Sequence, residues 1–282
     1  MDLTVFIPTR GRIGLNKQIT LREFRDKLPS VRPIIVCPAY EAPEHSKYHD
    51  YVWPCPVEGI GPTRQWIIEQ SKTNGVLMLD DDLYFSMREN PFEPRPLIQC
   101  HDLGPLMQWV SDQLDRGYVH GGISARQGNQ NILFPWTDCL RVNNAHLFNR
   151  DVYLREGIRF DRLPVMEDFD VTLGLLVRGY PNRVAYHYCW SQRGSGLSGG
   201  CSSYRTPEVQ AEAAEKLHQL YPRFVKIVEK TAISGGSVFA GKPRTDVNIY
   251  WVKAWEARTP RDGQPEPFIG RQVPMKFPDE VE

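Results

Sequence analysis

The order of apolar runs predicts an α/β fold, with a mostly parallel sheet flanked by helices. Two observations carry this reading. The first part of the chain alternates short strand-like runs with segments of helical character, and strand–helix–strand order argues for right-handed parallel crossovers. The run Gly75-Val76-Leu77-Met78-Leu79 also lacks polar alternation, as expected of a strand buried on both faces. A third observation places a ligand. Gly75-Val76-Leu77-Met78-Leu79 runs directly into Asp80, Asp81 and Asp82, and open α/β sheets bind ligands beyond the carboxyl ends of their strands.

Taken in order, Leu3-Thr4-Val5-Phe6-Ile7 is the first strand, and Pro8 stops its ladder. Gly11 and Gly14 permit a tight turn, and Arg10 and Arg12 beside it suit a diphosphate or a base, although solvated loop arginines fit equally well. A helix around Lys17 to Leu28 leads to a second strand, Arg32 to Cys37. Pro38 to Pro56 reads as loop with a short strand near Tyr51-Val52-Trp53. His45 and His49 are four apart there, but without a helical pattern a zinc site is not expected. Gly59-Ile60-Gly61-Pro62-Thr63-Arg64 opens a helix with Pro62 in its first turn, and Arg64 would lie near the acidic strand end that follows.

Three neighbouring carboxylates repel unless something positive is present. Continued strand geometry would point Asp80 and Asp82 one way and Asp81 the other. Such a pair of hard oxygen ligands suits Mg²⁺ or Mn²⁺, particularly an ion that also holds phosphates. A helix N-cap or a solvated acidic turn is the structural alternative.

His101 to Arg116 has the period of an amphipathic helix, with Leu103, Leu106, Met107, Val110 and Leu114 inward. Tyr118 to Ser124 is a strand, and Arg126 to Asn131 is a polar loop followed by Phe134, Pro135 and Trp136. Its amides and aromatics suit a sugar or a flipped base, or a plain hairpin loop. Ala145 to Phe148 is another strand. Met166 to Tyr180 is a helix with Glu167, Asp168 and Asp170 at its start, Leu173, Leu176 and Val177 on an apolar face, and Arg178-Gly179 closing it. Asn182 to Cys189 is a strand. Gln192 to Ser203 is rich in Gly and Ser around Arg193, suiting either a lid over a diphosphate or a linker.

Charge is balanced, with 34 Lys and Arg against 34 Asp and Glu, so no whole-chain field draws the protein to nucleic acid or membrane. The six cysteines have no zinc-type spacing. With no secretory leader pattern, they predict reduced thiols in a cytoplasm. No apolar run reaches membrane-spanning length, so no membrane partner is expected. Residues 1–205 are expected to form the catalytic domain and 206–258 a basic, aromatic helical and extended extension packed on it. Residues 259–282 form a Pro-rich tail. The helix Pro207 to Leu220 should face Val209, Ala213, Leu217 and Leu220 inward. The lysines, arginines and aromatics beyond it suit a polyanionic acceptor or a solvated surface.

The strand ending Pro8-Thr9-Arg10-Gly11-Arg12, the glycine-led helix with Arg64, and the strand ending Asp80-Asp81-Asp82 resemble the GT-A glycosyltransferases, a Rossmann-like fold. That resemblance implies a nucleotide-sugar donor, a UDP-sugar by preference, whose diphosphate is held through Mn²⁺ or Mg²⁺. The implied metal ligands are Asp80 and Asp82, with His187 completing the shell. The implied donor-binding set is Pro8, Thr9, Arg10, Arg12, Arg64, Asp80, Asp81 and Arg193. In inverting members a Glu-Asp pair at a helix start supplies the base, which implies Asp168 as general base with Glu167 orienting the acceptor and Asp170 structural. The chain departs from the pattern at the end of its second strand. Cys37-Pro38 stands where an acid often contacts the base, and Glu41 is the nearest acid. With Glu167-Asp168-Phe169-Asp170 added, the motifs over about residues 1–200 resemble the phage glycosyltransferases associated with TET/JBP-like hydroxylases. This implies an acceptor hydroxymethyl group, on 5-hydroxymethylcytosine or 5-hydroxymethyluracil in phage DNA, inside an infected bacterial cell. A polysaccharide or small-molecule acceptor, or a non-catalytic nucleotide-binding module, are the alternatives.

Overall fold

The computed structural model describes residues 2–192, 205–231 and 243–270. β1 (Leu3–Pro8), α1 (Ile19–Lys27), β2 (Ile34–Pro38), a short α2 (Ala42–His45), β3 (Val52–Cys55), α3 (Ile60–Gln70) and β4 (Gly75–Leu79) form the first half. Their strands pair in parallel in the order β3-β2-β1-β4. β5 (Leu83–Arg88), β6 (Leu97–Gln99), α4 (Gly104–Asp115), β7 (His120–Ala125), β8 (Trp136–Asp138) and β9 (Ala145–Asn149) follow. α5 (Arg150–Arg155), α6 (Glu167–Val177) and β10 (Asn182–Gln192) come next. Together they complete a ten-stranded sheet in the order β3-β2-β1-β4-β9-β7-β10-β5-β6, with β8 beside β10. Only β5, β8 and β9 run against the rest, so the sheet is mostly parallel, as expected.

Every residue of β4 is buried, and alternate side chains enter opposite layers. Leu77 and Leu79 pack with Phe24 of α1 and with Leu106, Val110 and Leu114 of α4. Val76 and Met78 pack with Ile67 and Ile68 of α3, and with Phe160, Val171 and Leu175. Each fully buried aliphatic side chain stabilises by roughly 1.5–3 kcal/mol, so the strand is fixed from both sides. The glycine-led start of α3 has a packing cause. A Cβ on Gly61 would lie 2.6 Å from the carbonyl oxygen of Phe160, so only glycine lets the helix approach that turn.

Among the described residues, α7 (Pro207–Leu220), β11 (Val225–Thr231), β12 (Pro243–Ile249) and α8 (Trp251–Glu256) follow β10. They bury Ala213, Ala214, Leu217, Val225, Val247 and Ala254 against Leu163, Met166 and Leu173. α6 therefore lies between two layers. Val171 and Leu175 face the sheet, Leu173 faces α7, and Leu176 packs with Trp255. A helix apolar all round is a buried helix, and the single face expected from sequence is one of two. Leu220, expected inward, is 39% exposed, while Gln210 and Ala214 are buried instead. Residues 259–270 run back to the sheet, where the Phe268 amide donates to Asp138 Oδ2 at 2.8 Å and its carbonyl accepts from the Asp138 amide. Five cysteines among the described residues are free thiols, all buried, and among those residues no helix is long and apolar enough to cross a membrane.

Candidate active site

β4 ends at Leu79 because the next residues turn back into β5, and Asp81 and Asp82 occupy that turn. Strand alternation therefore stops, and the three carboxylates sort differently from the expectation. Asp81 accepts from Thr9 Oγ1 and from Arg12 Nη1, and Arg12 Nη1 also meets Asp82 at 2.9 Å. Asp80 faces the other way, taking 2.8 Å bonds from Arg64 Nη2 and from Asn144 Nδ2. Arg64 is 4% exposed and its Nη1 donates to Glu167 Oε1 at 2.8 Å. One guanidinium thus ties the end of β4 to the start of α6. Next along that helix, Asp168 accepts from Arg141 Nε at 2.7 Å, and Arg141 stacks 4.2 Å over Phe169. Asp170 turns away to Arg162 and Tyr221, a structural role.

The loop after β1 is held from behind. Gln18 Nε2 donates to Thr9 Oγ1 at 2.9 Å and to the Arg12 carbonyl at 2.8 Å. Both carboxylate oxygens of the buried Glu41 accept from the Gly11 amide at 3.0 Å. Glu41 therefore braces this loop. Pro8 is buried at the end of β1, opposite Val36. Arg10 reaches away to the exposed Glu58 at 3.5 Å, a surface pair of small energetic weight. Arg193 lies outside the described residues.

His187 is not at this site. β10 is in register with β7 from Asn182 to Ala185, opposite Ile123, and resumes with Cys189 opposite Ser124. Tyr186, His187 and Tyr188 are extra residues in a bulge, which re-aims the side chains. His187 Nδ1 meets the Pro135 carbonyl at 2.9 Å and its ring lies against Trp109. The bulge lets β10 run on to Gln192, whose Oε1 accepts from Asn144 Nδ2 at 3.3 Å, beside Asp80. His45 and His49 form no metal pair either. A short helix does form there, but His45 meets Tyr48 and His49 Nε2 meets the Pro33 carbonyl at 2.7 Å.

Asn144, Arg141 and Gln192 were not singled out from sequence. Asn144 alone left a signal, since asparagine tolerates positive φ, and here φ is 59°. Cys139 and Met166 are the other non-glycine residues with positive φ among those described. Met166 precedes Glu167 and Cys139 lies two residues before Arg141. Such backbone costs about 1–3 kcal/mol a residue and clusters where geometry is imposed by the surroundings.

Asp80, Asp81, Asp82 and Glu167 set four carboxylates against Arg12 and Arg64. Burial raises Asp80, pushes Asp81 to about 7 against the pull of Arg12, and pushes Glu167 to about 7 against the pull of Arg64. Among the described residues, no three His, Cys, Asp or Glu side chains form a metal cage. The donor set instead fits a hard divalent ion that takes one or two carboxylates and completes its shell with phosphate and water.

The sequence profile of the TET-associated glycosyltransferases matches residues 3–200, which carry every residue of this cluster. The chain belongs to that family. The Beta-glucosyl-HMC-alpha-glucosyl-transferases of Enterobacteria phages T2 and T6 are each 27% identical to it. The two matches extend over 60% and 59% of this chain and cover 63% and 62% of those relatives' own lengths. Among solved structures, S. aureus TarS 1-349 in complex with UDP-GlcNAc superposes with a TM-score of 0.54 at 16% identity. That match covers 78% of this chain and 66% of TarS 1-349. The likeness shows that this family member has the GT-A-like fold of a glycosyltransferase.

Proposed function

We propose that this protein is a metal-dependent glycosyltransferase that moves a sugar from a nucleotide-sugar donor to the hydroxymethyl group of a modified pyrimidine in phage DNA. The observation that carries the reading is the bridge Asp80–Arg64–Glu167. It joins the carboxylate cluster at the end of β4 to the acidic start of α6 through one buried cation. A diphosphate end and an acceptor end are thereby held at a fixed separation, as a direct transfer requires. Family membership supports the reaction class, the UDP-GlcNAc bound to TarS supports a UDP-sugar as donor, and the HMC in the names of the T2 and T6 relatives supports the acceptor.

In this reading the acceptor oxygen forms its bond to the anomeric carbon as the bond to the nucleoside diphosphate breaks. Asp168 takes the acceptor hydroxyl proton, with Arg141 holding its carboxylate in place. Glu167 orients the acceptor, and burial lets it carry a proton near neutrality. Thr9, Arg12 and Arg64 line the diphosphate end, and the arginines are electrostatic partners for the leaving group. Asp80 or Asp82, which face opposite ways here, would supply a carboxylate to Mn²⁺ or Mg²⁺, which when bound offsets the charge of the departing diphosphate.

The test is transfer from a panel of UDP- and GDP-sugars, with Mn²⁺, to DNA carrying 5-hydroxymethylcytosine or 5-hydroxymethyluracil, read by mass spectrometry of the digested nucleosides. A hexose-sized gain lost with EDTA and in Asp82→Asn is expected. Donor hydrolysis without transfer would move the acceptor to a polysaccharide or small molecule, and no turnover with any donor would leave a nucleotide-binding module. The names of the T2 and T6 relatives favour one variant, in which the acceptor hydroxyl belongs to a glucose already on the base. Pre-glucosylated DNA in the same assay separates the two. Those names also specify an alpha-glucosyl transfer. A product that keeps the donor's anomeric configuration would take the base role away from Asp168.

A further inference from the structure

A second site lies further along the same sheet edge. Arg95, Arg126, Gln127, Gly128, Gln130 and Ser191, drawn from β10, the loop after β7 and the chain leading into β6, are among the residues that line a cavity of about 860 Å³. No carboxylate is among its lining residues. The contrast with the carboxylate cluster is in pairing. Arg12, Arg64 and Arg141 each hold an acid, whereas among the described residues the Arg126 guanidinium donates to the Ser86 hydroxyl at 3.2 Å and to no acid. Arg95 makes no ion pair among the described residues. Among the described residues, two cations therefore face one cavity without a paired acid.

The wall of this cavity is also built at considerable cost. Arg88 is fully buried and spends its guanidinium on the chain behind the wall. It bonds Asn129 Oδ1 and the carbonyls of Asn129, Ile132, Leu133 and Phe134. Asn129 in turn donates to Ser124 Oγ and to the Tyr186 carbonyl, the latter at the β10 bulge. A buried arginine in this role fixes the shape of residues 126–134, so Arg126, Gln127 and Gln130 are presented on a rigid loop. Ser191, beside Arg126 where β7 pairs β10, adjoins Gln192, which reaches the Asn144 that holds Asp80. The cavity and the carboxylate cluster thus share a boundary.

We infer that this cavity is a phosphodiester subsite. Arg95 and Arg126 grip the backbone of the acceptor strand while the modified base reaches Asp168. The inference rests on the DNA-acceptor reading above and adds to it the residues that hold the strand. Backbone contacts of this kind fix register and carry the salt dependence of binding.

The experiment compares the intact protein with Arg95→Gln/Arg126→Gln and with Arg126→Lys, on a hydroxymethylated duplex over a range of salt. Each lost phosphate contact should flatten the slope of log KM against log salt by about 0.9. The double variant is expected to raise KM for DNA about tenfold or more at moderate salt, with a slope flatter by about one to two. Arg126→Lys should restore part of both, and donor titration by calorimetry reports whether the variants are folded. If the intact protein transfers to DNA and the folded double variant keeps its KM and salt slope, this subsite is overturned and the DNA reading stands. If the intact protein shows neither transfer to DNA nor salt-dependent binding to it, both fall.

Discussion

The two ends of the site are built by opposite means. At the end of β4, charges are compensated locally. Arg12 and Arg64 sit among four carboxylates, and burial shifts Asp80, Asp81 and Glu167 toward their protonated forms. At the ends of β7 and β10 one buried arginine holds the backbone, and the exposed arginines carry no acid among the described residues. The first arrangement is suited to a cation and a diphosphate that replace internal ion pairs. The second is suited to an anion that meets ready-made positive charge. Preorganisation at the proposed donor end is electrostatic, and at the proposed phosphodiester subsite it is conformational.

Asp168→Asn would break the comparison most severely. Loss of a positioned base should lower kcat by about 10²–10⁴-fold while donor affinity by calorimetry is retained. A loss under about fivefold would remove Asp168 from the chemistry. Arg88→Met tests the conformational end. Loss of the guanidinium would leave Asn129 Oδ1 and several buried carbonyls without this donor, at about 1–3 kcal/mol for each left unsatisfied, and urea unfolding should show it. If the variant unfolds near the midpoint of the intact protein, the loop is held by other contacts.

A smaller effect separates the layers under the site by pH. His120 and His146 are stacked and fully buried, with no partner for any ring nitrogen among the described residues. Burial lowers His120 to about 3. The unfolded chain takes up this proton below about pH 6.5 while the folded chain does not. Stability from His120 is therefore present above about 6.5 and lost as pH falls toward its folded value, at about 1.4 kcal/mol per pH unit. Asp81 and Glu167 act in the opposite sense. Their raised values mean the folded state keeps protons that the unfolded state has released, so they destabilise as pH rises from about 4 toward 7. Comparing His120→Phe with the intact protein isolates the histidine. The stability-against-pH slope of the variant between about pH 4.5 and 6 should be lower by about 1.4 kcal/mol per unit, and equal slopes would mean His120 titrates normally. The smallest expected change is for His187→Gln, which should leave the Mn²⁺ concentration for half-maximal activity within about twofold. That ring is held by Pro135 and Trp109, away from the carboxylates.

The sequence alone determined the parallel half of the sheet, α3 and α6 with their termini, and the cluster of Asp80, Asp81, Asp82 and Arg64. These rest on short-range signals, namely apolar runs, glycines and prolines at element ends, and acids placed where a strand stops. Tertiary structure decided what those residues touch. Which way each aspartate points followed from a turn at Asp81 and Asp82, where strand alternation no longer applied. His187 moved away because Tyr186, His187 and Tyr188 bulge from β10, a register shift against β7, from which β8, β9, α5 and α6 separate it in sequence. Asn144, Arg141, Gln192 and Arg88 acquired their roles only through partners tens of residues away. Periodicity records which face of an element is apolar. Pairing between distant polar groups depends on strand order and register, which the packed sheet alone fixes.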